Sequence, residues 1–273
     1  MRIKLRVLSL SLLAVALTGG CRSSSSSAPA GEAPPTAPAR PPVAAVPPSV
    51  PEGFVVRPVF ETEQGPLAAG TAFFVTIPGQ PGPLGLTAHH LFGPAGGLER
   101  QVLAGELGRF VKAAGFRELD GQELNPAGPM VVLPSAGHAP DTDEVDWSMD
   151  VAAFRAPESL APRALRLSAK NAEVGEEVWL VAEVLGGKTA SQRMHRARVA
   201  TSKPRLLAYS FEDTTLVMRA TSGAPVVNAR GEVVGIHLAG GLVDGTLWGQ
   251  AHPVESVRTH LAQGLSAPAL QPR

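Results

Sequence analysis

The stretch that most constrains the fold covers residues 217–241 and reads VMRATSGAPVVNARGEVVGIHLAGG. Ser222 lies in a turn of small residues, T-S-G-A-P, and an apolar run over residues 225–227 follows it. Residues 228–231 have the composition of a hairpin turn, and residues 232–238 are typical of a returning strand. The sequence therefore predicts a β-hairpin with a serine at its entrance.

The serine in this turn has two interpretations. Between small residues, the hydroxyl of Ser222 can be exposed while neighbouring backbone N–H groups point at one spot. Nucleophilic attack on a carbonyl needs both features. The alternative is a structural hairpin whose serine lies at the surface. The stretch alone does not choose between the two.

Short strands separated by glycine and proline predict an all-β domain with one late helix. Strands are expected at residues 54–60, 70–75, 84–87, 130–133, 150–154, 177–184, 196–200, 205–210 and 215–218. Residues 102–117 fit either a strand or a short helix. The helix is expected over residues 253–263, because Pro253 suits a first turn and Gly264 can end it. About 215 residues of this kind fit two packed barrels.

The N-terminus has the composition of an export signal. A basic region precedes the apolar residues 7–17, which are too few for a transmembrane helix. The segment L-T-G-G-C ends at Cys21, the only cysteine of the chain, so an intrachain disulfide is excluded. This segment resembles the lipobox of bacterial lipoproteins, although Leu17 lies four residues before the cysteine and the usual leucine three. The alternative is an ordinary signal peptide in which Cys21 is incidental.

The lipobox resemblance implies a lipid anchor on Cys21 in a bacterial cell envelope, and Arg22 after it points to the outer membrane. Residues 22–50 are rich in serine, alanine and proline, which predicts a disordered tether with a reach of roughly 90 Å. The expected organisation is a signal peptide with the lipobox cysteine at 1–21, the linker at 22–50, a folded domain at 51–266 and a tail at 267–273.

Three polar residues, His90, Asp150 and Ser222, each lie at an end of a short apolar stretch and beside small residues. A serine hydroxyl is a poor nucleophile until a base accepts its proton, and a buried carboxylate holds that base in one tautomer. The order His, Asp, Ser along the chain is the chymotrypsin order and differs from those of subtilisin and the α/β-hydrolases.

Several segments resemble the motifs of chymotrypsin-like (trypsin-like) serine peptidases. T-A-H-H at residues 87–90 is similar to T-A-x-H around the family's histidine, and D-V-A at 150–152 is similar to its D-[IV]-A. T-S-G-A-P-V at 221–226 is similar to D-S-G-G-P-V, and G-T-A-F at 70–73 to the strand before the histidine. The resemblance runs from about residue 55 to residue 262. It implies two packed six-stranded antiparallel β-barrels and the catalytic residues His90, Asp150 and Ser222.

Two of these residues, His90 and Asp150, have rivals in the sequence. His89 precedes His90, but the T-x-x-H spacing favours His90. Four acidic residues precede Asp150, but they form a charge run typical of a solvated loop: Asp141, Asp143, Glu144 and Asp146. A metal site on His89 and His90 lacks supporting motifs, so no metal is expected. The remaining histidines are most simply surface or structural residues: His138, His195, His252 and His260.

Two further positions bear on the site. His237, in G-I-H-L-A-G-G, resembles the histidine with which glutamyl endopeptidases and viral chymotrypsin-like cysteine proteases recognise Glu or Gln before the cut; the alternative is an inward-facing structural histidine. Val217 departs from those families, which often have Thr or Ser there. Ala220 stands where the family has a glycine whose N–H, with that of Ser222, forms the oxyanion hole. A β-carbon disfavours the conformations that glycine adopts there.

The sequence thus predicts a lipid-tethered serine endopeptidase that acts on protein or peptide substrates without a cofactor. The alternative is an impaired pseudoprotease that serves as a protein-binding module, because Ala220 replaces the oxyanion-hole glycine. The formal net charge is zero, and nothing in the composition suggests nucleic-acid binding.

Overall fold

The computed structural model describes residues 46–119, 121–124, 130–131, 133, 149–184 and 193–266. The first half of this part forms one curled sheet. Its elements are β1 (Val55–Thr62), β2 (Gly65–Ala68), β3 (Ala72–Thr76), β4 (Leu84–Thr87), α1 (Ala104–Phe110), β5 (Val111–Arg117), β6 (Met130–Val131), β7 (Ala152–Arg155) and β8 (Leu165–Arg166). The strand order is β2-β1-β3-β4-β7-β6, with β5 on β1 and β8 parallel to β3.

The second half forms a closed barrel followed by a helix. Its elements are β9 (Glu177–Val181), β10 (Met194–Lys203), β11 (Leu206–Phe211), β12 (Pro225–Asn228), β13 (Val233–Val243), β14 (Thr246–Pro253) and α2 (Val254–Ser266). The six strands close in the order β10-β11-β14-β13-β12-β9. The expected all-β chain with a C-terminal helix is confirmed. The closed barrel has the expected six strands, whereas the first half is a curled sheet of eight within the described residues.

Alternating side chains explain why these segments form strands. In β11 every second residue is buried, so Leu207, Tyr209 and Phe211 face the barrel interior. One apolar cluster fills the curled sheet and includes Phe60, and a second fills the barrel. A third cluster joins residues of both halves to α2, for example Phe73, Trp179 and Leu261. The two halves therefore share a buried interface.

Some predicted boundaries need correction. Residues 102–117 contain both predicted alternatives, since α1 runs directly into β5. The strand expected at 215–218 is wrong: Asp213 Oδ1 accepts hydrogen bonds from the Thr215 N–H (2.8 Å) and hydroxyl (2.6 Å), which favours a turn over a ladder. Pro253 ends β14 and does not open the helix, and α2 continues past Gly264. Within the described residues, no helix combines the length and apolar character needed to span a bilayer.

Candidate active site

His90 and Asp150 are brought together by two neighbouring strands of the curled sheet. His90 lies in a 3₁₀ turn just after β4, and Asp150 lies just before β7, which pairs with β4 in antiparallel register. Asp150 Oδ2 is 2.5 Å from His90 Nδ1, and its Oδ1 accepts the backbone N–H of His90 at 2.7 Å. Both residues are buried. The carboxylate thus fixes both the backbone and the ring of His90, which leaves Nε2 as the ring nitrogen able to accept a proton.

His89 points elsewhere. Its ring is buried near Phe92, with ring centroids 6.4 Å apart, and its carbonyl accepts a hydrogen bond from the Gln101 side chain. The geometry therefore joins Asp150 to His90, the register that the T-x-x-H spacing favours. The acidic rivals at 141, 143, 144 and 146 lie outside the described residues, as do His138 and Cys21.

Ser222 lies in the turn before β12, where it contacts both halves of the fold. Its carbonyl accepts the N–H of Thr71 at 2.8 Å, which attaches the turn to the curled sheet. Its hydroxyl donates to the carbonyl of Leu238 on β13 at 2.9 Å. The hydroxyl of the candidate nucleophile is therefore hydrogen-bonded to a backbone carbonyl of the barrel.

Gly223 allows the serine turn to approach the strand that leads to His90. Its φ of +86° lies in the left-handed region. A β-carbon there would lie 2.2 Å from the carbonyl oxygen of Thr71, 2.5 Å from Thr87 Oγ1 and 2.9 Å from the N of Ala88. Only glycine fits this position, because the nearest contacts are backbone atoms and a buried hydroxyl.

Ala220 adopts a conformation that glycine would adopt more easily. Its φ is +62°, in the left-handed region that costs a residue with a β-carbon about 1–2 kcal/mol. The Thr71 hydroxyl donates to the Ala220 carbonyl at 2.8 Å and holds one side of this residue. The glycine-like backbone is thus retained despite the side chain.

His237 is fully buried and bonded to a residue that the sequence analysis did not single out. Its Nδ1 lies 2.6 Å from the hydroxyl of Tyr209 on β11, and its Nε2 is buried with no hydrogen-bond partner in the described part of the chain. Burial and, to a smaller extent, the charge of the nearby His90 together lower the pKa of His237 to about 3. Burial raises the pKa of Tyr209 well above its ordinary value. Both rings are therefore neutral at pH 7.

One signal in the sequence could have indicated this partner. Tyr209 is the only tyrosine of the chain and lies on the alternating face of a predicted strand. Buried tyrosine hydroxyls need a hydrogen-bond partner. The histidines His195, His252 and His260 are also buried, which favours the structural interpretation made for them over a surface position.

Comparisons with known proteins agree with this architecture. The family model described as "Trypsin-like peptidase domain" matches residues 70–236. Among curated proteins, no sequence matches the chain. The active form of the Rv3671c protease from M. tuberculosis superposes with a TM-score of 0.50 at 19% identity, over 87% of this chain and 96% of the other.

A second solved structure is similar at lower identity. The thermostable serine protease AL20 from an extremophilic microorganism has a TM-score of 0.51 at 13% identity, over 79% of this chain and 98% of its own. These similarities confirm the chymotrypsin-like double-barrel fold. Because the family model covers more than half of the 273 residues, the chain belongs to the trypsin-like peptidase domain family.

Proposed function

We propose that the chain is a serine endopeptidase in which Ser222 is the nucleophile, His90 the general base and Asp150 the residue that orients His90. The buried His90–Asp150 pair carries the proposal, because two hydrogen bonds hold one carboxylate against one histidine. A buried carboxylate so placed stabilises the imidazolium that forms during catalysis. The trypsin-like fold supports the same activity.

The proposed reaction assigns each proton and bond to one of these groups. Nε2 of His90 takes the hydroxyl proton as Ser222 Oγ bonds to the substrate carbonyl carbon. The N–H groups of Ala220 and Ser222 stabilise the resulting oxyanion. His90 then protonates the leaving amine, and the peptide C–N bond breaks. A water molecule, deprotonated by His90, hydrolyses the acyl-serine and restores the hydroxyl.

The substrate backbone fits beside the nucleophile. On the edge that faces β12, the His237 N–H donates to the Ala224 carbonyl and the His237 carbonyl accepts the Gly223 N–H. Beyond His237, the described part of β13 has strand pairing to β14 on one edge only. An extended peptide can add to this free edge by main-chain hydrogen bonds. A peptide N–H bound to the Leu238 carbonyl would take the acceptor that Ser222 uses at rest, which frees the hydroxyl to turn towards His90. A cavity of about 230 Å³ beside Thr71 and Ala220 is suited to the chain after the cut.

His237 is proposed to select Glu or Gln before the cut. If Tyr209 donates to Nδ1, the proton of the neutral ring is on Nε2, which is buried and has no hydrogen-bond partner within the part of the chain that the structure describes. That N–H can donate to an amide or carboxylate oxygen of the substrate side chain.

The lipid anchor on Cys21 belongs to the same proposal, with the outer membrane of a bacterial envelope as the site. The lipobox-like segment L-T-G-G-C supports it. Metabolic labelling with a fatty-acid analogue should mark the wild type and fail on Cys21→Ser. A mature chain found entirely in the soluble periplasmic fraction without lipid would exclude the anchor.

A fluorophosphonate probe tests the activity directly. Wild-type protein should be labelled, Ser222→Ala should not, and Ser210→Ala on β11 is the matched control that should be labelled as the wild type is. If folded wild-type protein is not labelled, the binding-module alternative replaces the peptidase. The left-handed conformation of Ala220 favours this alternative, because the N–H of this strained residue would supply one of the two donors of the proposed oxyanion hole.

A further inference from the structure

A cavity lies between the end of β3, the segment that follows β8 and the helix α2. Its volume is about 830 Å³, within the range of about 300–1,000 Å³ that small-molecule sites occupy. β3 begins beside Thr71, which contacts the serine turn, and ends at Thr76 in the cavity wall. Since a strand rises about 3.3 Å per residue, the cavity is about 16 Å from that contact. It is therefore separate from the proposed catalytic residues.

The floor of this cavity is apolar. Leu261 of α2 belongs to the apolar cluster that joins the two halves, and Ile77 and Leu167 pack against the same cluster. Ile77 and Leu167 are only partly buried, so apolar surface is left in the cavity. A hydrocarbon chain laid over these side chains would remove that surface from water, which is favourable. The floor therefore favours a ligand with an aliphatic body.

Arg258 of α2 places a fixed guanidinium in the cavity wall. Its Nη1 donates to the carbonyls of Ser168 and Ala169, each at 3.1 Å, which holds the side chain in one position. A guanidinium has five N–H donors, and only those on Nη1 are used within the described part of the chain. The donors on Nη2 and Nε are left for a ligand. A carboxylate can bind them without the entropy cost of ordering a free arginine.

The other charges of the wall leave a positive excess. Arg166 of β8 is exposed and forms no ion pair among the described residues. The pKa of Glu232 is lowered first by its hydrogen bond with Arg230 and least by the charge of Arg166, so this acid already has its own cation. Glu255, the acid in the wall, accepts the side-chain N–H of Asn171 at 3.0 Å. Two guanidinium groups against one carboxylate favour an anionic ligand.

We propose that this cavity is a binding site for an aliphatic carboxylate, a molecule with a hydrocarbon chain of medium length and one carboxylate group. The chain lies over Ile77, Leu167 and Leu261. The carboxylate accepts hydrogen bonds from the free donors of Arg258, and Arg166 adds a second positive charge in the same cavity. Arginine and carboxylate form charge-assisted hydrogen bonds that are stronger than neutral ones. The site goes beyond the proposed peptidase function and does not depend on it.

Isothermal titration calorimetry with octanoate as the probe tests the site. Octanoate should bind to the wild-type protein about tenfold more tightly than 1-octanol, because the arginines add a charge-assisted interaction to the same hydrocarbon chain. Hexanoate should bind about tenfold more weakly than octanoate, because two fewer methylene groups are buried. If 1-octanol binds as tightly as octanoate, or if octanoate does not bind, the proposed site is wrong.

Arginine variants test the recognition of the carboxylate. Arg166→Gln and Arg258→Gln should each weaken octanoate about tenfold and leave 1-octanol nearly unchanged. Arg205→Gln is the matched control, because this exposed arginine lies in the turn between β10 and β11, outside the cavity wall. A melting temperature near that of the wild type verifies that each variant is folded. Equal losses for Arg205→Gln and the two cavity variants would exclude a specific site.

A filled cavity tests the location. Ala262 and Gln263 are exposed neighbours on α2, but only Ala262 lines the cavity. Ala262→Trp should abolish the binding of octanoate and 1-octanol alike, whereas Gln263→Trp should keep both. If octanoate binds more weakly as the protein concentration rises, a second copy of the chain covers the cavity and the proposal is wrong. Since the assay measures binding alone, the carboxylate site and the peptidase activity can each fail without the other.

Discussion

The two halves of the molecule prepare their parts of the site differently. The curled sheet presents His90 with its ring and backbone both bound to Asp150, and both residues are buried. The barrel presents a serine bound to a backbone carbonyl, an alanine in a left-handed conformation and a histidine nitrogen that has no hydrogen-bond partner among the described residues. The proposed base is thus held in place without substrate, whereas the proposed nucleophile would have to leave its hydrogen bond to the Leu238 carbonyl. This difference locates the energetic cost of substrate binding in the barrel.

The largest effect is expected when the nucleophile or the base is removed. Ser222→Ala and His90→Ala should each lower turnover of a peptide substrate by a factor of about 10⁴ or more, because the residues act as one unit. The double variant should lose little further, which a steady-state assay measures.

The control for this pair is His89→Ala. Asp150 binds both the ring and the backbone N–H of His90, so the loss of the His89 side chain should be milder. If His89→Ala abolishes turnover while His90→Ala does not, the geometry seen in the curled sheet is not the working one.

A smaller effect is expected on the pH dependence of the free energy of unfolding, and its source is His237 in the barrel. The pKa of His237 is lowered from the ordinary 6.5 to about 3 in the folded chain, so the unfolded chain binds more protons between these values. The free energy of unfolding should therefore fall as pH drops from 6.5 towards 3, by at most about 5 kcal/mol at 1.36 kcal/mol per pKa unit. His237→Gln should flatten this slope in urea titrations at successive pH values.

His195→Gln is the matched control for this slope. Burial also lowers the pKa of His195, but its hydrogen bond to the Ala182 carbonyl opposes the shift, so a smaller change is expected. Equal slopes for the wild type and His237→Gln would mean that His237 is not the buried neutral group described above.

A third prediction concerns selectivity. His237→Ala removes the proposed donor to the substrate side chain, which is worth about tenfold to a hundredfold in the preference for Glu or Gln over Ala. A peptide library measures this profile, and general activity towards small side chains should change less. Preference for Lys or Arg in the wild type would contradict the role of His237.

The smallest expected effect is at Ala220. Ala220→Gly removes the strain of a β-carbon at a φ of +62°, and turnover should rise about tenfold, or about 1.4 kcal/mol at the transition state. Stability of the variant is measured alongside, because glycine also loosens the unfolded chain. Unchanged turnover would show that the backbone strain at Ala220 does not raise the activation free energy of the reaction.

Sequence reasoning anticipated the features that depend on local order and missed those that depend on distant contacts. The position of Asp150 directly before an apolar strand, and of His90 after another, suffices to bring them to one edge once the strands pair. The sequence marks Tyr209 as a residue of a buried strand face that needs a hydrogen-bond partner, but it does not identify that partner as His237, because the contact exists only after the barrel closes. The strand predicted for residues 215–218 was wrong because Asp213 accepts two hydrogen bonds from Thr215, which favour a turn there despite the apolar residues 216–218.

The hydrogen bonds of Thr71 link the two halves of the molecule and make completion of the site depend on the folding of both. Its N–H binds the Ser222 carbonyl, its hydroxyl binds the Ala220 carbonyl, and its own carbonyl accepts the hydroxyl of Thr87. One residue of the curled sheet therefore holds the nucleophile turn of the barrel at two points. Neither half can complete this arrangement alone, so a chain that has folded only one half has an incomplete site. If the proposed peptidase activity holds, such a junction would keep the site inactive until both halves have folded, while neighbouring unfolded chains are the most accessible substrates.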